Sequence, residues 1–133
     1  MAISIKGILV GLVCGIVLSV VGGLVLGFAL GALYGPAAMA DVAAITSGTL
    51  TPSMFFMDAV VSIAAGYIAA RVAGRGELVN AALCNLIGAG IVVLLAQAGP
   101  PAAMTSALIL LLAEPLFGLL GGYIRLRQVA EYA

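Results

Sequence analysis

Four long apolar stretches alternate with short clusters of glycine, proline and polar residues along the chain. The stretches run roughly over 7–34, 53–72, 78–97 and 103–124. Each reaches the length of about 20 residues that a helix needs to cross a bilayer core. Gly35-Pro36 closes the first, Gly74-Arg75-Gly76 divides the second from the third, and Gly99-Pro100-Pro101 divides the third from the fourth. These are turn signals. The pattern predicts an all-α fold: an integral membrane four-helix bundle forming a single domain over 1–133. The 34–52 connection is the longest, and its middle, Ala37 to Ile45, predicts a short surface helix.

Within the first stretch the small residues recur every fourth position. Gly7, Gly11, Gly15, Ser19, Gly23, Gly27, Gly31 and Gly35 form one unbroken series. Glycine costs about 1 kcal/mol per residue in a helix relative to alanine. In lipid, helices associate through close packing and hydrogen bonds, and small residues let backbones approach. The series therefore predicts a helix-packing surface. A step of four residues advances about 40° on a helix of 3.6 residues per turn, so seven steps turn roughly 280°. One neighbour cannot cover such a spiral. The two halves of this helix are expected to face different partners, one inside the chain and one outside it. The second stretch carries a similar series in Ser62, Gly66, Ala70 and Gly74.

Composition sharpens the class. The chain is 65% hydrophobic and only 8% charged, against about 25% charge in soluble domains. Mean hydropathy is +1.33. The net charge of zero gives no reason to expect a nucleic-acid partner. There is no histidine and no tryptophan, so most acid–base, zinc and haem chemistry lacks its usual residue. No metal site or cofactor is implied. Cys14 and Cys84 sit in apolar runs and read as small hydrophobes. The first apolar run far exceeds a signal-peptide core of about 7–15 residues and is read as a retained span.

The basic residues set a topology. Lys6 precedes the first span, Arg71 and Arg75 flank the middle turn, and Arg125 and Arg127 follow the last span. The other two connections contain neither lysine nor arginine. The positive-inside rule then places both termini in the cytoplasm of a multi-pass protein. The expected location is the bacterial inner membrane.

The two halves also resemble each other. DAVVSIAAGYIAAR (58–71) and EPLFGLLGGYIRLR (114–127) align at a fixed offset of 56 residues. The alignment matches an acid, Gly-Tyr-Ile and an arginine. This suggests two similar helical hairpins in a parallel repeat. Tyr67 with Arg71, and Tyr123 with Arg127, stand four apart on one helix face. They read as interfacial anchors, tyrosine at headgroup depth and arginine reaching to phosphate, with a cation–π contact possible in each pair.

Asp58 and Glu114 are the candidate chemistry. Each lies 13 residues before its arginine, or about 20 Å along a helix. That depth is in the outer half of a core about 30 Å thick. An acid there costs several kcal/mol unless it is paired, protonated or wet. No lysine, arginine or histidine lies deep in any span to pair with it. Pro115 frees the carbonyl of Leu111 beside Glu114. Asn85 and Ser62 are further polar groups within reach, which makes the four residues a candidate proton, cation or ligand site.

The run AAGYIAARVAGRGELVNAALCNLIGAG, followed by EPLFGLLGGYIRLR, resembles a group of small, uncharacterised bacterial four-span membrane proteins. Their spans end in Gly-Gly-Tyr and Ala-Ala-Arg. Gly66-Tyr67, Ala69-Ala70-Arg71, Glu77-Leu78 and Gly121-Gly122-Tyr123 carry the resemblance here. Those proteins often have a histidine near the position of Asn80. The resemblance implies four spans and brings no activity with it. Small multidrug exporters share the size and a membrane glutamate, but their acid lies in the first span and their pocket is aromatic.

Two functions follow from these residues. The first expectation is a structural or accessory membrane protein that assembles through small-residue packing, as a homo-oligomer or within a larger membrane complex. The alternative is a small transporter or proton/cation handler that uses the membrane carboxyls. An enzyme is not expected, because no nucleophile–base set appears. Both acids facing one internal cavity would favour transport; acids facing outward would favour the accessory role.

Overall fold

A computed structural model describes residues 2–35 and 50–131. The predicted short helix over Ala37–Ile45 lies outside the described residues. The described residues form four helices: α1 (Ile5–Tyr34), α2 (Pro52–Ala73), α3 (Glu77–Ala96) and α4 (Pro101–Glu131). The described residues contain no strand. All four helices are long and apolar enough to cross a membrane.

The ends of the helices follow from local chemistry. Ser4 caps α1 by accepting from the Gly7 amide at 3.1 Å, and Thr51 caps α2 by accepting from Met54 at 3.3 Å. Pro52 sits at the first position of α2, where its missing N–H costs nothing. Between α2 and α3, Gly74 and Gly76 both take positive φ, at 65° and 64°. That backbone is open to glycine at little cost, and it permits a reversal within three residues. α4 extends seven residues beyond the predicted end at 124. The apolar run stops there, but Arg125 to Glu131 contains no glycine or proline and consists largely of good helix formers. Gln128 in this extension also accepts a hydrogen bond from the Tyr67 hydroxyl at 2.8 Å.

The core is made of small side chains. Ala65, Ala69, Ala70, Ala81, Ala89 and Ala107 are buried, and the largest fully buried side chains are Asn80 and Cys84. Large apolar residues such as Leu24, Phe28 and Leu112 point outward. Backbones therefore meet almost directly. A Cβ on Gly66 would lie 2.7 Å from the Gly118 carbonyl oxygen, and one on Gly121 would overlap the Ile63 carbonyl. α4 packs in this way against α2 and α3, with Phe55 and Phe117 edge to face at 5.7 Å.

Asn80 ties the chain start to the α2–α3 turn. Its side-chain amide donates to the carbonyls of Ala2, Arg75 and Gly76, and its Oδ1 accepts from the Ser4 amide at 2.7 Å. This tie brings Lys6 and the turn with Arg71 and Arg75 to one end of the bundle, and the Tyr67–Gln128 bond brings the end of α4, with Arg125 and Arg127, to the same end.

α1 leans on α2 and, less extensively, on α3. Its inward face runs through Ile8, Gly11, Gly15, Leu18, Gly22, Leu26 and Leu30. These positions advance by three or four residues, the natural period of the helix. The small-residue series advances by four and walks off that face. Gly7 and Gly11 press against Ala69, and Gly15 against Ala65. Ser19 is exposed, and Gly23, Gly27 and Gly31 have open space around them. Of the expected packing series in α1, the first three members make close contacts within the chain. The last three make none among the described residues, and Ser19 lines a cavity.

Candidate functional site

The divergence of α1 from the bundle creates a cavity. At Gly11 the three helices touch, because a Cβ there would sit 2.7 Å from both the Ala69 Cβ and the Cys84 Sγ. Above this level α1 and α3 separate, and a space of about 380 Å³ opens between α1, α2 and α3. Its walls are mainly apolar: Leu12, Ile16 and Val20 from α1, Val61 and Ala65 from α2, and Ile91, Val92 and Leu95 from α3. α4 contributes a single lining residue, Glu114.

The polar groups of this cavity are the residues singled out from the sequence. Asp58, Ser62, Asn85 and Glu114 all line it, and Ser19 joins them from α1. Glu114 reaches in past Gly88. Its Oε2 lies 3.8 Å from the point where a Gly88 Cβ would be, so a larger side chain there would compete with the carboxyl for space. Glu114 is only 8% exposed, and its carboxyl has no hydrogen-bond partner among the described residues. On α2, the Asp58 Oδ2 is buried and likewise without a partner. The two acids lie within electrostatic reach of each other.

Asn85 positions the site. Buried at the centre, its amide nitrogen donates to the Ser62 carbonyl at 2.8 Å and to the Glu114 carbonyl at 3.1 Å. One α3 side chain thus fixes α2 and α4 at the level of the acids. Gly118 makes room for it, since a Cβ at that position would meet the Asn85 amide nitrogen at 2.9 Å. The Asn85 Oδ1 carries no hydrogen bond among the described residues. The Leu111 carbonyl freed by Pro115 was expected to share the site, but Leu111 is not among the lining residues. The neutral oxygen acceptors there come from Asn85 and the serines.

A buried, unpartnered carboxyl costs several kcal/mol in an apolar setting unless its charge is neutralised. The Asp58 Oδ2 is such an atom, and the Glu114 carboxyl shares its cavity with no basic residue in the lining, which makes a site of unmet negative charge or of stored protons. Chemically it can take up protons or hold a cation. Among the described residues no three of histidine, cysteine, aspartate and glutamate gather as they would around a metal ion.

No family model, curated protein or solved structure matches the chain. The site's own geometry therefore carries the functional reading.

The tyrosine–arginine pairs stand apart from the cavity and differ from each other. Arg127 Nε donates to the Tyr123 hydroxyl at 2.8 Å, and its guanidinium lies 5.4 Å from the ring centroid. Tyr67 instead bonds to Gln128 across the α2–α4 seam, leaving Arg71 exposed. Asn80 was not singled out by sequence reasoning as an organising residue. Its signal was a lone amide one turn into a helix that begins at a glycine-rich reversal, where free carbonyls need donors.

Proposed function

We propose that this chain is a four-span protein of the bacterial inner membrane, both termini cytoplasmic, that binds and moves a cation, the proton included, at Asp58 and Glu114. The carrying observation is that two acids from different helices line one cavity without a basic partner. The distribution of side chains supports the membrane setting. Small residues fill the inside and large aliphatic ones cover the outside, which suits lipid and is unfavourable in water. The gathering of all five basic residues at one end supports the orientation. An enzymatic role has no comparable support.

The test is flux in proteoliposomes with a pH-sensitive dye inside and an imposed proton gradient. Sodium, potassium or an organic ammonium ion is supplied outside. The expected result is cation-dependent proton movement that Glu114→Gln abolishes. Movement equal in wild type and Glu114→Gln contradicts the reading, and so does its absence from both with every cation.

A second reading rests on a different observation. Gly23, Gly27 and Gly31 form a small-residue face with no neighbour among the described residues. This is the surface on which a second copy would pack in the accessory role.

A further inference from the structure

We infer that the occupant of the cavity is an organic ammonium ion with an apolar body, admitted from the side between α1 and α3. The inference rests on the cation-handling reading above and deepens it by naming the substrate class.

Size is the first argument. The cavity of about 380 Å³ falls within the range of about 300–1,000 Å³ typical of small-molecule sites. A water molecule occupies about 30 Å³ of liquid, and a bare metal ion needs still less room. The second argument is the character of the walls. A hard inorganic cation such as calcium is held by about six to eight oxygens arranged around it. Here the carboxyls of Asp58 and Glu114, the Asn85 oxygen and the hydroxyls of Ser19 and Ser62 are the polar groups, and they come from walls that are otherwise apolar. The remaining surface is mostly Leu, Ile, Val, Ala and Gly. An ammonium head fits these groups, since each N–H can donate to a carboxylate or an amide oxygen in a charge-assisted bond. An apolar body fits the rest.

Access is the third argument. Ile16, Val20 and Leu95 line the cavity and are also 62%, 59% and 71% exposed on the outside of the bundle. The mouth is therefore apolar and lies on the flank, between α1 and α3. The Gly11 contact closes the cavity toward the basic end. A solute entering this way passes first through an apolar phase, which an amphiphilic amine tolerates better than a strongly hydrated metal ion.

The experiment is equilibrium binding of radiolabelled 4-phenylbutylamine to the full chain in lipid nanodiscs. Unlabelled 4-phenylbutanol and sodium chloride serve as competitors. The expected result is saturable binding that neither competitor displaces. Glu114→Gln should weaken it about tenfold or more, the loss of a charge-assisted hydrogen bond. Gly88→Leu, which fills the space beside Glu114 and keeps both charges, should also weaken it. Thermal unfolding of both variants in the same nanodiscs shows whether either has lost its fold. If Gly88→Leu unfolds, Glu114→Gln with Asp58→Asn decides. Equal binding of the alcohol would overturn the inference, because any apolar chain would then suffice. So would amine binding that survives the loss of both carboxyls. Displacement by sodium, or Glu114-dependent sodium flux without amine binding, would overturn the inference and leave the cation-handling reading intact. Loss of Glu114 dependence in both flux and binding would overturn both.

Discussion

The two halves of α1 carry the same small-residue spacing and meet opposite surroundings. From Gly7 to Gly15 the helix presses its backbone against α2 and α3. From Gly23 to Gly31 the same spacing meets open space. The difference is arithmetic. A step of four residues cannot stay on a face whose period is 3.6. A glycine series is thus a packing signal only for as long as it coincides with the buried stripe. Between the two halves, from Gly11 to Val20, α1 forms one wall of the cavity.

The largest effect should come from filling the lower half. Gly11→Leu places a side chain against Ala69, Cys84 and the Ala65 carbonyl, where even a Cβ is too close. Overpacking of this kind costs about 1–3 kcal/mol or more. A strong drop in the midpoint of unfolding in mixed detergent–SDS micelles is expected. A midpoint like wild type would mean that α1 does not pack there.

A moderate effect is expected at the tie beneath that contact. Asn80→Ala removes four hydrogen bonds that link Ala2, Ser4, Arg75 and Gly76. Because solvent can reach some of the freed groups, the expected loss is about 1–3 kcal/mol. It should appear both in the same titration and as faster proteolysis of the N-terminus. Unchanged proteolysis would show that the N-terminus is held by other contacts.

The smallest effect belongs to the upper half. Gly27→Leu meets no neighbour among the described residues, so stability should shift within about 0.5 kcal/mol. Cross-linking in membranes sharpens the comparison. A cross-linked dimer in wild type that Gly27→Leu removes would assign this face to a second copy. Loss of monomer stability would contradict the contrast between the two halves.

How much of this was legible beforehand depends on how local the cause is. The four helices follow from apolar runs and from glycine and proline breaks, which are local. α4 runs on past the predicted span because apolarity and helicity part company after Ile124, and Gln128 gains a partner 61 residues away. Asp58, Glu114, Asn85 and Ser62 stood out as polar residues in apolar runs. Their meeting in one cavity depends on how α2, α3 and α4 pack around Asn85, which no short window of sequence encodes. The offset of 56 residues aligned Tyr67 with Tyr123, but the two hydroxyls found different partners. Their surroundings differ even though their local sequences agree.

The central claim is that Asp58 and Glu114 share one cavity open to the apolar flank of the bundle. Mapping by mass spectrometry after labelling with a membrane-soluble carbodiimide tests it most directly. Native membranes would be labelled alongside a sample treated with a water-soluble carbodiimide. The account predicts adducts from the membrane-soluble reagent at Glu114 and Asp58, reduced when N,N-dimethyl-4-phenylbutylamine, a tertiary amine that cannot be coupled to an activated carboxyl as an amide, is present. The water-soluble reagent should instead favour Glu77 and Glu131. Labelling of both acids by the water-soluble reagent alone would contradict the account, as would adducts at Glu114 that the amine does not diminish.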